Sequence, residues 1–336
     1  MRISVVIPVY NAEPFIQKAV MSALQFNEVK EVILIEDCSL DNSFQACKRL
    51  TEIDKRVILH QHPDKRNHGA AESMNLGLST AKEEFVCILG ADDFFLPNRF
   101  DFEKEKFKDS SVDGVYGAIG VHLYTETREN KNFLIDSLTT LNAQVNPDEL
   151  KFVLINAHPK VQGYFSLDGL TIRRSLLDKT GFLNPILRLH QDTDFCLKLA
   201  LKGNLVSGNI KEPIAMRGVH ENNRITSVNN NANSQWLLYN ELLSWFNKNC
   251  SDETIKNVLV TNLNYFDFMK KENVGFFDFI SLIFKNKYLF YMESKFNKAL
   301  KRAVKNKWLA SGIIKIKEKA VRILKLESKT LIKLEK

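Results

Sequence analysis

The sequence predicts an α/β fold: a mainly parallel central sheet flanked by helices, followed by a helical C-terminal region. Three observations carry this. Short apolar runs alternate with helical patterns through the first hundred residues, each run ends in polar residues, and beyond Ser234 the periodicity is helical almost throughout.

In order, Ile3–Val9 reads as the first strand and residues 13–26 as a helix with Pro14 in its first turn. Glu31–Glu36 is the second strand, and residues 41–54 form a helix capped by Asp41 or Asn42. Arg56–His60 follows, then a helix over 69–82 punctuated by Gly69 and Gly77, then the strand Glu84–Leu89. Such alternation implies right-handed strand–helix–strand units. From Gly114 to about Asp168 the pattern weakens into short β-like and irregular pieces, placed to form one wall of a ligand site. Leu170–Ile172 and helices around Ser175–Thr180 and Gln191–Lys202 restore order. The Asn-rich stretch Glu221–Asn233 reads as a loop able to close over a ligand. Helices are expected at Trp236–Asn247, Thr254–Lys270, Phe276–Phe284 and Lys287–Lys305, with Trp245, Phe246, Phe276, Phe277 and Phe279 as core. Leu309, Ile313, Ile316, Ala320, Ile323 and Leu324 then recur at helical spacing between lysines, as in an amphipathic helix.

The 44% hydrophobic content of 336 residues is ample for a core and excludes disorder throughout. The formal charge of +7 is uneven: residues 298–336 hold 13 Lys+Arg against 3 Glu, leaving 34 basic and 37 acidic groups in the rest. A basic tail on a near-neutral body suits an anionic membrane surface, a partner helix or a solvated lid, and the membrane reading is favoured. A nucleic-acid partner is disfavoured, because the tail lacks interleaved aromatics and any known binding motif. Five cysteines without a C-x-x-C pair, several inside apolar runs, fit a reducing cytoplasm. The first apolar stretch is soon interrupted by Pro8, and no window reaches ~18 uninterrupted apolar residues, so the chain is expected to be neither secreted nor membrane-spanning.

The chemistry is concentrated at strand ends. Asp92 and Asp93 follow the apolar run Phe85–Leu89, and Pro97 closes the segment. In an open α/β sheet ligands bind outside the carboxyl ends of the strands, and adjacent carboxylates there repel unless a cation lies between them. The pair therefore argues for a metal-bound, phosphate-bearing substrate. Neither a Walker A sequence nor G-x-G-x-x-G follows the first strand, which disfavours a P-loop enzyme or a nicotinamide dehydrogenase.

Taken together, Pro8-Val9-Tyr10-Asn11, Glu36-Asp37-Cys38-Ser39, Asn67-His68-Gly69, Ser73-Met74-Asn75-Leu76-Gly77 and Gly90-Ala91-Asp92-Asp93 resemble the N-terminal half of glycosyltransferase family 2, over roughly residues 1–225. The resemblance implies a GT-A-like nucleotide-binding domain over 1–225; periodicity and charge add a helical extension over 226–305 and a basic amphipathic helix over 306–336. It also implies a metal-dependent, inverting transferase of hexosyltransferase type. Such an enzyme moves a sugar from a nucleotide-diphosphate donor, UDP-linked by preference, to a hydroxyl of a glycan or lipid-linked acceptor. Pro8, Tyr10 and Asn11 match the first nucleotide-contacting loop, Asp37 matches the carboxylate that accepts from the base, and Arg66, Asn67 and Gly69 match the cradle of base and ribose. Asn75 falls in the matched donor region. Asp92 matches the last Asp of the Asp-x-Asp motif, which holds Mg2+ or Mn2+ against the diphosphate, and Asp93 stands where it could support that site or touch the sugar. The sequence departs from the family at Gly90, in place of the first Asp of that motif, and at Glu36, in place of the first Asp of an Asp-Asp pair.

A second match is His190-Gln191-Asp192-Thr193-Asp194, which resembles the family's Glu-Asp motif at a helix start, with Gln191 in place of Glu. It implies that Asp192 is the base that takes the acceptor's proton; Asp194 then caps the helix or contacts sugar. His220 is similar to a residue that binds the metal or the diphosphate, with His158 and His190 as competitors and Arg217 and Arg224 as candidate phosphate contacts. Asp168 and Gly169 fall on the expected acceptor side, and Tyr164 or Phe165 could stack on sugar. Two rival functions stand beside this one: a catalytically inactive sugar-nucleotide or glycan-binding relative, in which Gly90 marks loss of the metal, and a sugar nucleotidyltransferase. The latter is disfavoured because Pro8–Glu13 has no Gly, Lys or Arg for a triphosphate. Abundant Asn and Lys hint at bacterial surface polysaccharide synthesis, with the protein cytoplasmic and peripheral on the inner face of the membrane.

Overall fold

A computed structural model describes residues 1–125, 137–158, 160–221, 232–286 and 293–304, together with 310, 313 and 314. It divides into two compact units: Met1–Leu154 with Lys160–Asn229, and Ile155–Pro159 with Asn230–Lys336.

The first unit is built on a seven-stranded sheet. Its strands are β1 (Ile3–Val9), β2 (Val29–Glu36), β3 (Val57–Gln61), β4 (Phe85–Ile88), β6 (Gly114–Tyr116), β8 (Leu170–Arg173) and β9 (Leu205–Ser207), in the order β3-β2-β1-β4-β8-β6-β9. The β3-β2-β1-β4 half is parallel throughout, and β8 runs antiparallel to both neighbours, β4 and β6. A second sheet of three strands holds β5 (Phe94–Phe95), β7 (Ala118–Leu123) and β10 (Pro213–Val219), with β10 in the middle.

The strand alternation seen in the sequence is the packing pattern. Val5, Ile7, Val32 and Leu34 pack to one side with Ile16, Ala19, Val20 and Ala23 of the helix Ile16–Leu24. Val6, Ile33 and Ile35 face the other side, against Met74 and Leu78 of Ala70–Thr80, in a cluster shared with Phe195 and Leu199 of Gln191–Lys202. Side chains alternate faces with period two, so a sheet covered on both sides needs near-continuous apolar runs. Between β2 and β3 the helix Ser43–Ile53 starts where Asp41 accepts the Ser43 N–H at 2.9 Å, so the expected cap acts from one residue upstream of Asn42. The expected order of β1 to β4 and the helices between them is observed; the sequence reading missed the helices Asp101–Lys106 and Pro147–Leu154, the second of them inside the stretch read as β-like, and also β5, β9 and the second sheet. Cys47, Cys87 and Cys196 are buried, and all five cysteines are free.

The second unit is helical, with Ala232–Asn249, Glu253–Lys270, Phe276–Lys285 and Glu293–Ala303. Asp252 caps the second helix by accepting from the N–H groups of Thr254 and Ile255 at 2.9 and 3.0 Å. Tyr265, Phe268, Phe279, Leu282, Phe296 and Leu300 form the core. Phe277, expected in that core, is instead 85% exposed, because it falls on the helix face opposite Phe279 and Leu282. Of the expected amphipathic helix over 306–336, only Ala310, Ile313 and Ile314 are described, packed against this core. Most of Glu221–Asn233, including Arg224, lies outside the described residues, as does the start expected for the last helix. No described helix is long and apolar enough to cross a membrane.

Lys295 sits within this unit with its ammonium over the rings of Phe266, Tyr239 and Tyr265, at 5.2, 5.4 and 5.8 Å from their centroids, and donates to Asn262 Oδ1. Burial, with a smaller push from Lys298, lowers its pKa to about 7 despite the rings. The unfolded chain then binds more protons than the folded one between pH ~7 and pH ~10.4, so stability rises with pH across that window. Lys295→Met should remove this increment. Thermal melts of the two full-length proteins at pH 7 and pH 10 check it: the variant should gain stability relative to wild type at pH 7, and the gap should narrow at pH 10.

Candidate active site

The carboxylate turn lies where the chain passes from one sheet to the other. β4 ends at Ile88 and Leu89 N–H still bonds the Val6 carbonyl at 2.9 Å; Gly90 to Asp93 then turn, with Asp93 N–H on the Gly90 carbonyl at 3.1 Å. The next two residues are β5, paired antiparallel with β10. Strand β10 ends at Val219, so His220 emerges beside the turn, and its Nε2 lies 3.2 Å from Asp92 Oδ2. Phe15 stacks on the His220 ring with centroids 4.5 Å apart, fixing its plane. Asp92 and His220, distant in sequence, thus form one polar pair, with side chains 30% and 14% exposed.

Asp93 faces inward. Its Oδ1 accepts the Gly218 N–H at 2.8 Å. Burial first, then the charges of Asp168 and Asp92, hold its carboxyl well above the usual carboxylate range, and it hydrogen-bonds to Asp168. Asp168 in turn accepts from Gly90 N–H at 2.9 Å and from Ser166 Oγ at 2.6 Å. Beneath them the fully buried Arg99 pairs with Glu103 and donates to the carbonyls of Asp168 and Leu170 at 3.1 and 3.2 Å. Two glycines are required by this close approach. A Cβ on Gly90 would fall on the Asp93 carboxyl, and one on Gly218 would fall on the Asp92 carbonyl oxygen. Asp168, expected on the acceptor side, is 6% exposed and belongs to this internal network.

The loops after β1 and β2 are tied to one another. Asn11 N–H donates to Ser39 Oγ at 3.0 Å, Leu40 N–H to Asn11 Oδ1 at 2.7 Å, and Ala12 N–H to Ser43 Oγ at 2.8 Å. Asp37, 2% exposed, accepts the N–H groups of His68 and Gly69 at 2.8 Å each, while Asn67 donates to its carbonyl. The carboxylate therefore holds the Asn67–Gly69 loop in place. Glu36 is fully internal, accepting from Ser39 N–H and Gln61 at 2.6 Å each, which is a bracing role for the residue that departs from the family pattern.

These parts enclose a cavity of about 740 Å³. Pro8, Tyr10, Asn11, Asp37, Asn67, Asp92, Asp93, Arg217 and His220, all singled out from the sequence, line it with Phe15, Ser73 and Gly90. Arg66, Gly69, Asn75 and Asp192 are not among the lining residues. Arg66 is exposed. Both polar atoms of the Asn75 side chain engage the Leu183 backbone at 2.9 Å, joining its helix to the segment that follows Leu177–Thr180. Asp192 is exposed in the first turn of Gln191–Lys202, accepting from Thr193 N–H at 2.8 Å. Asp194, expected to cap or touch sugar, is instead fully buried and pairs with Lys198 at 2.5 Å. His190 has φ 65° at the head of that helix. Tyr164 is 63% exposed, whereas Phe165 is core, stacked on Tyr116 at 4.6 Å. Sequence reasoning missed Phe15, Ser166 and Gly218, none of which carries a charge; Arg99, set between Phe94-Phe95 and Phe100, was the legible signal of a buried network.

The Asp93 network gives a stability prediction. Asp93→Asn keeps an acceptor for Gly218 and a donor for Asp168, whereas Asp93→Ala takes the acceptor from the Gly218 N–H, at about 1–3 kcal/mol for a buried group, and leaves Asp168 with only the Gly90 and Ser166 bonds. A carboxyl whose folded pKa is raised costs stability as pH rises above its unfolded value, ~3.9 for Asp. Denaturant unfolding should therefore find the Ala variant strongly destabilised, and the Asn variant improving relative to wild type from pH 4 to pH 7.

Comparison with known proteins agrees with this geometry. Residues 4–179 match the model of "Glycosyl transferase family 2". Among curated relatives, glycosyltransferase GlyG of Streptococcus pneumoniae is 33% identical over 40% of this chain and 43% of its own. The minor teichoic acid biosynthesis protein GgaA of Bacillus subtilis is 27% identical over 59% and 43%. The match thus spans less than half the length of either relative. Among solved structures, residues 1–349 of S. aureus TarS, in complex with UDP-GlcNAc, superpose with a TM-score of 0.60 at 16% identity, covering 90% of this chain and 82% of that one. The Pyrobaculum calidifontis mannosyltransferase PcManGT, in complex with GDP-Man and Mn2+, gives 0.50 at 14% identity, covering 96% and 80%. The fold is therefore GT-A-like, and with the family match running from β1 past the carboxylate turn and β8, over more than half of the residues, the chain belongs to glycosyl transferase family 2.

Proposed function

We propose that this protein is an inverting glycosyltransferase that moves a sugar from a nucleotide-diphosphate donor, UDP-linked by preference, to a hydroxyl of a glycan or lipid-linked acceptor in bacterial surface polysaccharide synthesis. The observation that carries the reading is the cavity at the ends of β1, β2 and β4, with Asp92 and His220 opposed across the sheet junction. The nucleotide sugars named for the TarS and PcManGT complexes support the donor class, and the teichoic acid role of GgaA supports the acceptor class.

In this reading Tyr10, Asn11, Asp37 and Asn67 receive the nucleoside, with Arg66 and Gly69 shaping the loop from outside the cavity. Asp92 and His220 would hold Mg2+ or Mn2+. The donor set fits, since such cations take oxygen and imidazole ligands and need only one or two protein groups when phosphates complete the shell. No group of three or more His, Cys, Asp or Glu suited to a metal occurs among the described residues, so the nucleotide has to share in the coordination. When bound, the cation neutralises charge on the departing diphosphate. Arg217, on the cavity wall 3.4 Å from Ser166 Oγ, adds a fixed positive charge beside it. Asp192 takes the acceptor proton while that oxygen attacks the anomeric carbon opposite the leaving diphosphate. The basic C-terminal stretch attracts the protein to an anionic membrane face where a lipid-linked acceptor is concentrated.

Gly90 favours one alternative, a sugar-nucleotide-binding relative without turnover. Calorimetric titration with UDP and GDP, each with Mn2+ and with chelator, separates them from a protein that binds neither. We expect metal-dependent binding of one nucleotide, weakened at least tenfold in Asp92→Ala, and turnover lowered about 10²–10⁴-fold in Asp192→Asn with nucleotide affinity unchanged. Binding without turnover in the wild type, across the available acceptors, would favour the inactive relative.

A further inference from the structure

We propose that the outer face of the Phe276–Lys285 helix is the surface that docks this protein onto an anionic lipid bilayer, with Phe277 and Phe284 inserted among the acyl chains. Phe277 and Phe284 are each 85% exposed and Phe276 is 37% exposed. Seven residues separate the first two, which is two helical turns and hence one face. Phe279 and Leu282, on the opposite face, are 0% and 6% exposed and fix the helix to the core of its unit. The helix is thus anchored on one side and presents Phe277 and Phe284, with the exposed Ser281 between them, on the other, an arrangement that leaves large aromatic area in water unless something covers it.

Charge decides what the cover is. Lys285 ends the helix and Lys271 and Glu272 precede it, all three exposed, so the local charge is positive by one before Asp278 is counted and the larger excess lies C-terminal to the helix. The helix's single acid, Asp278, bonds the Gly275 N–H at 3.0 Å and lies 3.5 Å from Lys271. From Lys285 to the C-terminus the sequence carries 16 Lys+Arg against 4 Glu. A second copy bringing the same excess would be repelled, whereas an anionic lipid surface attracts the lysines and accepts the phenylalanines. This surface extends the reading of a membrane-bound acceptor, and locates the contact on a helix that the overall tail charge does not single out.

The test uses the full chain and flotation with vesicles of phosphatidylcholine alone or mixed with phosphatidylglycerol, at low and high salt. Wild type should bind the mixed vesicles and not the neutral ones, and Phe277→Ser/Phe284→Ser should weaken that binding about tenfold or more with an unchanged melting temperature. Quenching of a single tryptophan by brominated lipid gives a second readout: Phe277→Trp should be quenched once the three native tryptophans are replaced by Phe. Equal binding by the double Ser variant would overturn the proposal by assigning attachment to the basic segment alone. So would self-association abolished by that variant, or an acidic protein partner that wild type prefers to the vesicles. Nucleotide binding measured on the same samples keeps failure of this surface distinct from failure of the donor site.

Discussion

The hydrogen bond from Gly218 N–H to Asp93 holds together the two sheets on which the candidate site depends. β4 belongs to the large sheet and β10 to the small one, and the chain between Gly90 and Asp93 is the seam. Pairing of β5 with β10 covers only Phe94 and Phe95, so the seam needs a side-chain fastener of its own. Asp93 supplies it, backed by Asp168, which is held in turn through its carbonyl by Arg99. Strand β10 is also held by β7, which continues from β6 of the large sheet through Gly117, whose N–H bonds the Gly169 carbonyl at 2.8 Å, and together these contacts fix His220 against Asp92.

The same seam gives a physical account of Gly90. In the family pattern an aspartate stands there, but here the space that its Cβ would need is filled by the Asp93 carboxyl. A buried carboxyl with a second one against it is costly unless one is neutral and both are hydrogen-bonded. Gly218 N–H, Gly90 N–H and Ser166 Oγ provide those bonds. Gly90 and the inward Asp93 are thus two sides of one packing solution, in which the Asp93 carboxyl fills the space that a side chain at position 90 would need.

How far the sequence revealed this varies with the range of the interaction. The β1 to β4 order, the helices between them and the Asp92-Asp93 turn were legible because apolar period and strand-end polarity are local signals. Most of the cavity-lining residues could be named through motif resemblance for the same reason. Asn75 and Asp194 could not be read correctly. Asn75 is defined by the backbone of Leu183, far along the chain, and Asp194 by burial that a first-turn acid does not announce. Asp168 and Phe165 were misplaced for a related reason: their segment lacks a clear period, and only the register of β8 against β4 and β6 puts Asp168 under Gly90 and Phe165 on Tyr116. Phe277 shows the limit on the helical side, since a stretch apolar on every face does not say which face meets the core.

On the proposed reading, a site with one carboxylate and one imidazole has a consequence for the order of events. Two ligands leave most of a hard cation's shell to water and phosphate, so the protein alone binds it weakly. Affinity then belongs to the pair of nucleotide and cation: the diphosphate supplies oxygens that Gly90 cannot, and each binds more tightly with the other present. Such coupling is reciprocal, because the free energy by which the cation helps the nucleotide equals that by which the nucleotide helps the cation. The prebuilt elements of the cavity, the tied β1 and β2 loops and the Asp37-braced Asn67–Gly69 segment, need not reorder for this to occur. What the fold fixes in advance is the shape of the cavity and the orientation of Asp92 and His220; on the proposed reading, completion of the charge would fall to the ligand.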